Sequence, residues 1–400
     1  MTKKNVIFIV VDSVRFYKTG IDDRDRLDFM DKFEVESVSY TNAITSAPSS
    51  VMAAASMFTG MESAYLARNY NDWEFDTSNI ISLQNTLEDN GYEIYSIDNS
   101  KEGREVTKDL TKPISSKYFP KGISHRNFWT NLEVNKVLKN ILKNHSGNPS
   151  FFMMWYDCRN DPNTSYCLEE AINLFKEKKM YENSIIILTS DHGYPDPSTG
   201  LNKNTMRNMR HDMVVTDDNI KVPLFIKAPG IKARKEDRIV GHIDLFPTIL
   251  NQLNLKKIDN ISKIHGQDIL KIKKDNRIIR SDTRLLLQKG RITSLRSKEY
   301  KLVYYHDENK TELYDLIKDP KEVKNLKIEG HYKNIYEKLE KYMKESNDKI
   351  DKYHLRYIEK RISDLINNIN INKVKNYKIL ILGNQNEILL STIIKKIKKY

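Results

Sequence analysis

Two places in this 400-residue chain deliver side chains suited to a common chemistry. In Ile185-Ile186-Ile187-Leu188-Thr189-Ser190-Asp191-His192-Gly193, four apolar residues and two hydroxyl residues lead to a carboxylate, an imidazole and a glycine. This pattern predicts a buried strand that stops at a glycine turn and presents Asp191 and His192 side by side. Near the start, Val6-Ile7-Phe8-Ile9-Val10-Val11 runs without a break into Asp12. A continuous apolar run is the pattern of a strand covered on both faces, as in a parallel sheet. Open α/β sheets gather ligands at the carboxyl ends of their strands. Two carboxylates and an imidazole at two such ends make an oxygen-and-nitrogen metal site. The bland alternative for Asp191-His192 is a satisfied surface turn.

A third element supplies a hydroxyl. Small hydroxylic residues around Pro48 mark a turn, and the Ala-rich run Val51–Phe58 is a good helix former. Ser49 or Ser50 therefore opens a helix, where unpaired N–H groups and the dipole favour an anion. Such a serine serves as a simple N-cap or as a nucleophile.

The elements that must position these groups alternate. Residues 81–91 read as a helix with a Gly91 stop, Tyr92–Ile97 as a strand, Leu132–Leu142 as a helix and Phe151–Tyr156 as a buried strand. Leu168, Ile172 and Phe175 form a helical stripe, Val222–Lys227 a short strand, and Asp244–Leu253 a helix with Pro247 in its first turn. This order predicts an α/β domain over residues 1–275, with a mostly parallel central sheet and helices on both faces. From 276 to 330 the alternation at Tyr300–Tyr305 and Glu312–Leu316 predicts a small antiparallel subdomain of the same unit. Residues 331–400 read as a basic helical extension. Ile335, Leu339, Tyr342 and Met343 make a helical stripe, and Lys378–Gly383 followed by a helix resembles a strand–turn–helix. A lone strand cannot satisfy its backbone, so the tail is expected to contact a further domain or another copy.

Composition bounds the rest. The net charge is +12, but residues 331–400 hold 16 Lys/Arg against 8 Asp/Glu, so most of the excess is remote from the candidate site. It reads as a solvated helical face, and no specific nucleic-acid partner is expected. Two cysteines, Cys158 and Cys167, fit a reducing compartment and not a disulfide framework. Only six apolar residues precede Asp12, too few for a secretory h-region, and no later stretch reaches the length of a membrane span. The expectation is a cytoplasmic protein with no transmembrane segment.

Several stretches together resemble the sulfatase branch of the alkaline phosphatase superfamily. Asn5–Arg15 is similar to its opening strand with the metal-binding acid, Ala47–Gly60 to its nucleophile loop and helix, and Leu83–Tyr92 to its Leu-rich helix with a Gly-Tyr turn. Thr189–Gly193 carries its Thr-Ser-Asp-His-Gly. His211, eleven residues before Val222-Pro223-Leu224, matches a histidine of many members. His242–Thr248 resembles its Asp-x-x-Pro-Thr helix start, and Lys301-Leu302, Glu312–Leu316 and Asp319-Pro320 its C-terminal signature. The resemblance covers roughly residues 5–330 and implies an alkaline phosphatase-like fold and an ester hydrolase or phosphotransferase. Residue by residue, it implies Asp12, Asp191, His192 and Ser50 as ligands of one divalent metal, Mn or Zn before Ca or Mg. Ser50 and His211 become the catalytic pair, and Asn160 and His242 contact the substrate. His211 and His242 also stand as partial ligands of a second metal.

The chain departs from the pattern at informative places. The nucleophile of the family falls ten residues before Gly60, at Ser50, with Pro two and Arg four residues further on; here those places hold Met52 and Ala54. A competing register begins at Ser46 and also lacks the Arg. The usual His-Asp-Pro reads Asn160-Asp161-Pro162. Without the signature for conversion to formylglycine, Ser50 stays a hydroxyl. A formylglycine hydrate expels sulfate by breaking its own C–O bond, which a plain serine cannot do, whereas a serine phosphate is open to a second attack at phosphorus. The expected function is therefore a metal-dependent hydrolase or transferase of phosphate esters, acting on a small-molecule, lipid-linked or glycan ester, with surface-glycan biosynthesis as a setting. A sulfuric ester hydrolase and a non-catalytic protein of the same fold are the alternatives.

Overall fold

The computed structural model describes residues 3–20, 24–66, 81–98, 130–158, 162–196, 211–255, 264–271, 276–283 and 290–368. The chain divides into two compact units, Met1–Met343 and Lys344–Tyr400. In the first, a seven-stranded sheet has the order β3-β4-β1-β5-β6-β2-β7. Its strands are β1 (Asn5–Asp12), β2 (Val38–Ile44), β3 (Glu93–Asp98), β4 (Ser150–Asp157), β5 (Ser184–Ser190), β6 (Lys221–Lys227) and β7 (Arg234–Gly241). Pairings β1–β4, β1–β5, β3–β4 and β2–β7 are parallel. Only β6 runs against its neighbours β5 and β2.

The unbroken apolar runs are strands buried on both faces, as their composition requires. Alternate residues of β1 divide between two cores. Val6, Phe8 and Val10 pack with α2 (Ser50–Thr59), α3 (Leu83–Asp89) and the helix Leu245–Gln252. Ile7, Ile9 and Val11 pack with α1 (Asp28–Glu34), α4 (Asn131–Lys143) and α5 (Thr164–Glu177). The stripe Leu168, Ile172 and Phe175 is the buried face of α5. Thr130 starts α4 with a reciprocal capping box to Glu133. Several strands escaped the sequence reading: β2, two strands of the later antiparallel sheet (Ile279–Asp282 and Ile292–Arg296), and β7, Arg-Lys-Glu-Asp-Arg-Ile-Val-Gly, whose first five residues are exposed or half-buried at the sheet edge and charged as edge strands commonly are.

A second, four-stranded antiparallel sheet has the order β11-β10-β9-β8, from β8 (Ile279–Asp282), β9 (Ile292–Arg296), β10 (Tyr300–Tyr305) and β11 (Lys310–Asp315). Leu295, Leu302 and Leu313 of this sheet pack with Leu339 and Met343. The stripe anticipated in the tail is therefore a buried face at the start of the helix His331–Asn368, within the first compact unit. In the second unit the helix is described to Asn368, and the anticipated strand 378–383 lies outside the described residues. Among the described residues, no helix is long and apolar enough to cross a membrane. Cys158 and Cys167 are buried and form no disulfide.

Candidate metal centre and nucleophile

Parallel pairing puts Val11 opposite Ser190. The next residues on the two strands, Asp12 and Asp191, thus leave the sheet side by side at its carboxyl end. His192 follows, and one ligand atom from each of Asp12, Asp191 and His192 lies within 4.8 Å of the others. All three side chains are buried. Gly193 is needed next because the chain turns against a neighbouring backbone: a Cβ there would lie 2.1 Å from the Asp218 carbonyl oxygen. The Gly193 N–H instead donates to Asn219 O at 2.8 Å, and Tyr194 N–H to Asp218 O at 3.1 Å.

The hydrogen bonds orient each ligand. Asp191 Oδ1 accepts from Ser13 N–H at 2.9 Å and from His192 N–H at 2.8 Å. Its Oδ2 is buried and accepts none among the described residues. Ser13 has φ 62°, a left-handed conformation rare for a residue with a side chain. That turn aims its N–H across at Asp191, while its hydroxyl donates to Asp12 Oδ1 at 2.5 Å. Strained backbone of this kind concentrates at functional sites. His192 Nδ1 lies 2.7 Å from Gly193 O, and a carbonyl only accepts, so Nδ1 carries the proton. Nε2 lies 3.3 Å from Asp191 Oδ2 and 3.3 Å from Ser50 Oγ. Two buried carboxylates and an imidazole nitrogen form a donor set that fits a divalent cation.

Ser50 is the first residue of α2, and Ser49 is the N-cap. The Ser49 hydroxyl makes no capping bond. The serine-rich turn is thus not a hydroxyl cap, and Ser50 Oγ lies at the positive end of a ten-residue helix. The helix ends at Gly60, φ 68°, where a Cβ would also press against Ile264 Cγ2 at 3.0 Å. The Phe-Thr-Gly spacing from Ser50 therefore follows from a left-handed helix end. Ser46, the competing nucleophile, is buried, and its hydroxyl has no hydrogen-bond partner among the described residues.

His211 stacks on His192, with ring centroids 4.4 Å apart and planes 17° apart, which brings it beside the metal ligands. His242 is placed differently from a substrate contact or second-metal ligand. It is fully buried, with Nδ1 3.1 Å from Thr45 Oγ1 and Nε2 3.2 Å from Thr189 Oγ1. Burial, reinforced by His192, pushes its imidazole down to about 3, so the ring is neutral. Asn160 lies outside the described residues. Among the described residues, one group of three potential ligands comes together, the one at Asp12, Asp191 and His192. Ser13, Thr45 and Thr189 went unrecognised in the sequence; their residue types are common, and only their position beside the strand ends distinguishes them.

The sulfatase family model matches residues 158–255, and the model for the C-terminal part of N-sulphoglucosamine sulphohydrolase matches residues 210–349. Lipoteichoic acid synthase 2 of Bacillus subtilis is 34% identical over 106 residues, 26% of this chain and 16% of that protein. An uncharacterized sulfatase of Escherichia coli is 28% identical over 175 residues, 42% of this chain and 33% of that protein. These matches span a third or less of those relatives. Among solved structures, a 2-O GAG sulfatase superposes with a TM-score of 0.67 at 16% identity, covering 87% of this chain and 93% of that one. The phosphonate monoester hydrolase of Agrobacterium radiobacter gives 0.63 at 14% identity, covering 88% and 96%. The matched segments are similar to the sulfatase family, and the fold is shared with these structures, both consistent with the sulfatase branch of the alkaline phosphatase superfamily. The relatives and structural neighbours are sulfatases, lipoteichoic acid synthases and phosphonate monoester hydrolases, all enzymes of that superfamily.

Proposed function

We propose that this chain is a metal-dependent hydrolase or transferase of phosphate esters with Ser50 as an unmodified nucleophile. The observation that carries the reading is Ser50 Oγ at the N-terminus of α2, 3.3 Å from His192 Nε2 and beside the Asp12, Asp191 and His192 cluster. Asp12, Asp191, His192 and Ser50 would hold one divalent ion, of which Mn²⁺ or Zn²⁺ suits the mixed nitrogen and oxygen donors, and which when bound supplies Lewis acidity and a lowered hydroxyl pKa. Ser50 Oγ, its proton released to solvent, attacks phosphorus, the bond from phosphorus to the leaving alcohol breaks, and the departing oxygen takes up a proton. The unpaired N–H groups of the first turn of α2 stabilise negative charge on the transferred group. His211, stacked on His192, donates the proton or stabilises the phosphoryl oxygens. Water or an acceptor alcohol then attacks the phosphoserine and restores the Ser50 hydroxyl.

The substrate class we assign is an ester of a glycan or its lipid-linked precursor, a reading supported by a relative named lipoteichoic acid synthase. A cytoplasmic location rests on the cysteine usage alone. Sulfate-ester hydrolysis is the second reading, favoured by the two matched sulfatase models and opposed by Met52 and Ala54 where conversion of the nucleophile needs Pro and Arg. The test is a panel of chromogenic phosphomonoester, phosphodiester, phosphonate and sulfate esters with Mn²⁺ or Zn²⁺, alongside peptide mass analysis of Ser50. Phosphoester turnover with Ser50 at its encoded mass is expected. An aldehyde at Ser46 or Ser50 with faster sulfate-ester turnover would establish the second reading instead.

A further inference from the structure

The nucleophile and the metal ligands stand on strands that are not neighbours. Ser50 follows β2, Asp191 and His192 follow β5, and β6 lies between the two. A side-chain link spans that gap. His242, in the turn after β7, lies between Thr45 Oγ1 at 3.1 Å and Thr189 Oγ1 at 3.2 Å. Thr45 begins the loop to Ser50, and its Oγ1 also reaches Ala47 O at 3.1 Å. Thr189 lies two residues before Asp191, and its Oγ1 donates to Pro223 O at 2.8 Å. The far side of the loop is clamped by the small sheet: Ser281 Oγ donates to Thr45 O at 2.6 Å, and Asp282 N–H to Ser46 O at 3.0 Å.

We infer that His242 is a positioning residue, a strut whose imidazole sets the Ser50 loop against the strand end carrying Asp191 and His192. This rests on the proposed role of Ser50. A planar ring with nitrogens on opposite sides spans two hydroxyls that a single amide end would not. Thr189 Oγ1 donates its one proton to Pro223 O and so accepts from Nε2–H, while the bare Nδ1 of a neutral ring accepts from Thr45 Oγ1, and both ends close without a charge. His242, Thr45 and Thr189 are all fully buried, leaving no solvent to replace the link. Misplacing a reacting group by about 1 Å costs on the order of 100-fold in rate.

The experiment is a double-mutant cycle on the metal-loaded enzyme, read as kcat and KM on the fastest ester of the panel. Thr45→Val and Thr189→Val keep the side-chain shape and each remove one end of the strut. Each should lower kcat by about 10- to 100-fold with KM and bound metal unchanged. Together they should cost little more than the worse one alone, because either breaks the same link. In a His242→Phe background neither should cost anything further. Multiplicative losses in the double variant, or an undiminished kcat in His242→Phe, would overturn the inference. If His242→Phe does not fold, the threonine pair decides the matter. Ser50→Ala separates the two readings: full activity in that variant removes the nucleophile while the threonine coupling stays measurable. An inactive Ser50→Ala with independent threonine effects removes only the strut.

Discussion

At the end of β5, Asp191 Oδ2 is buried and accepts no hydrogen bond among the described residues. At the end of β8, Asp282 is equally buried, yet both its oxygens are held: Oδ2 by Arg280 Nε at 2.8 Å, Oδ1 by Arg280 Nη2 at 3.0 Å and Arg291 Nη2 at 3.1 Å. Thr293 Oγ1 donates to Oδ1 as well. Burying a carboxylate is costly unless it is paired and hydrogen-bonded. The small sheet meets that cost with its own arginines. The central sheet brings Asp12 and Asp191 together beside His192, a donor set that fits a cation. Two clusters of similar burial thus differ in chemistry: one carboxylate is paired with arginines, whereas the other two stand together beside an imidazole.

The largest expected effect strikes the cluster of the central sheet. Ser50→Ala should lower turnover by roughly 10⁴- to 10⁶-fold, as nucleophile removal does elsewhere, with thermal stability unchanged. Ser49→Ala should cost far less, since that hydroxyl makes no capping bond. Steady-state kinetics beside a melting curve reads both, and equal losses from the two serines would break the assignment.

Removing charge should act with opposite sign at the two clusters. Asp282→Asn leaves Arg280 and Arg291 without their buried counter-charge and should cost about 3–5 kcal/mol of stability. Asp191→Asn relieves repulsion in the metal-free protein and should stabilise it by about 1 kcal/mol while abolishing stoichiometric metal binding. Denaturant melts in chelator, paired with elemental analysis, test this. The comparison fails if both variants shift the melt in the same direction, or if Asp191→Asn keeps its metal.

A smaller effect concerns pH. Burial alone would raise the Asp282 carboxyl, but Arg280 and Arg291 outweigh it and hold the group well below its ordinary value of 3.8. The unfolded chain therefore binds the proton first as pH falls. The stabilisation is complete above the unfolded value and is lost as pH drops through the folded one. Asp282→Asn should flatten the stability profile between about pH 4 and 2. An unchanged acid limb would show that the pair does not hold the carboxyl down.

The local pattern carried much of this. Six apolar residues before Asp12 and four before Thr189 require strands covered on both faces, and polar residues must follow where such strands leave the sheet. The Ala-rich run marks α2 within the sequence itself and leaves Ser49 or Ser50 at its start; the structure makes Ser49 the N-cap and Ser50 the first helical residue. β7 was not legible, because an edge strand is identified by its neighbour and its charged residues mimic a loop. Asp191-His192 also read as a surface turn until the pairing of β1 with β5 set Asp12 beside it.

The sequence by itself determined which residue types stand at each element's end, since hydrophobic period, capping and glycine turns are written locally. Only the tertiary structure decided which ends meet and which polar groups remain unsatisfied there. His242 and Asp282 look as reactive in the chain as His192 and Asp191. Their partners, Thr45 and Thr189 for the one and Arg291 for the other, arrive from distant elements or across a strand turn. Satisfaction of a buried polar group depends on those long-range neighbours, so the fold alone separated the braces from the site.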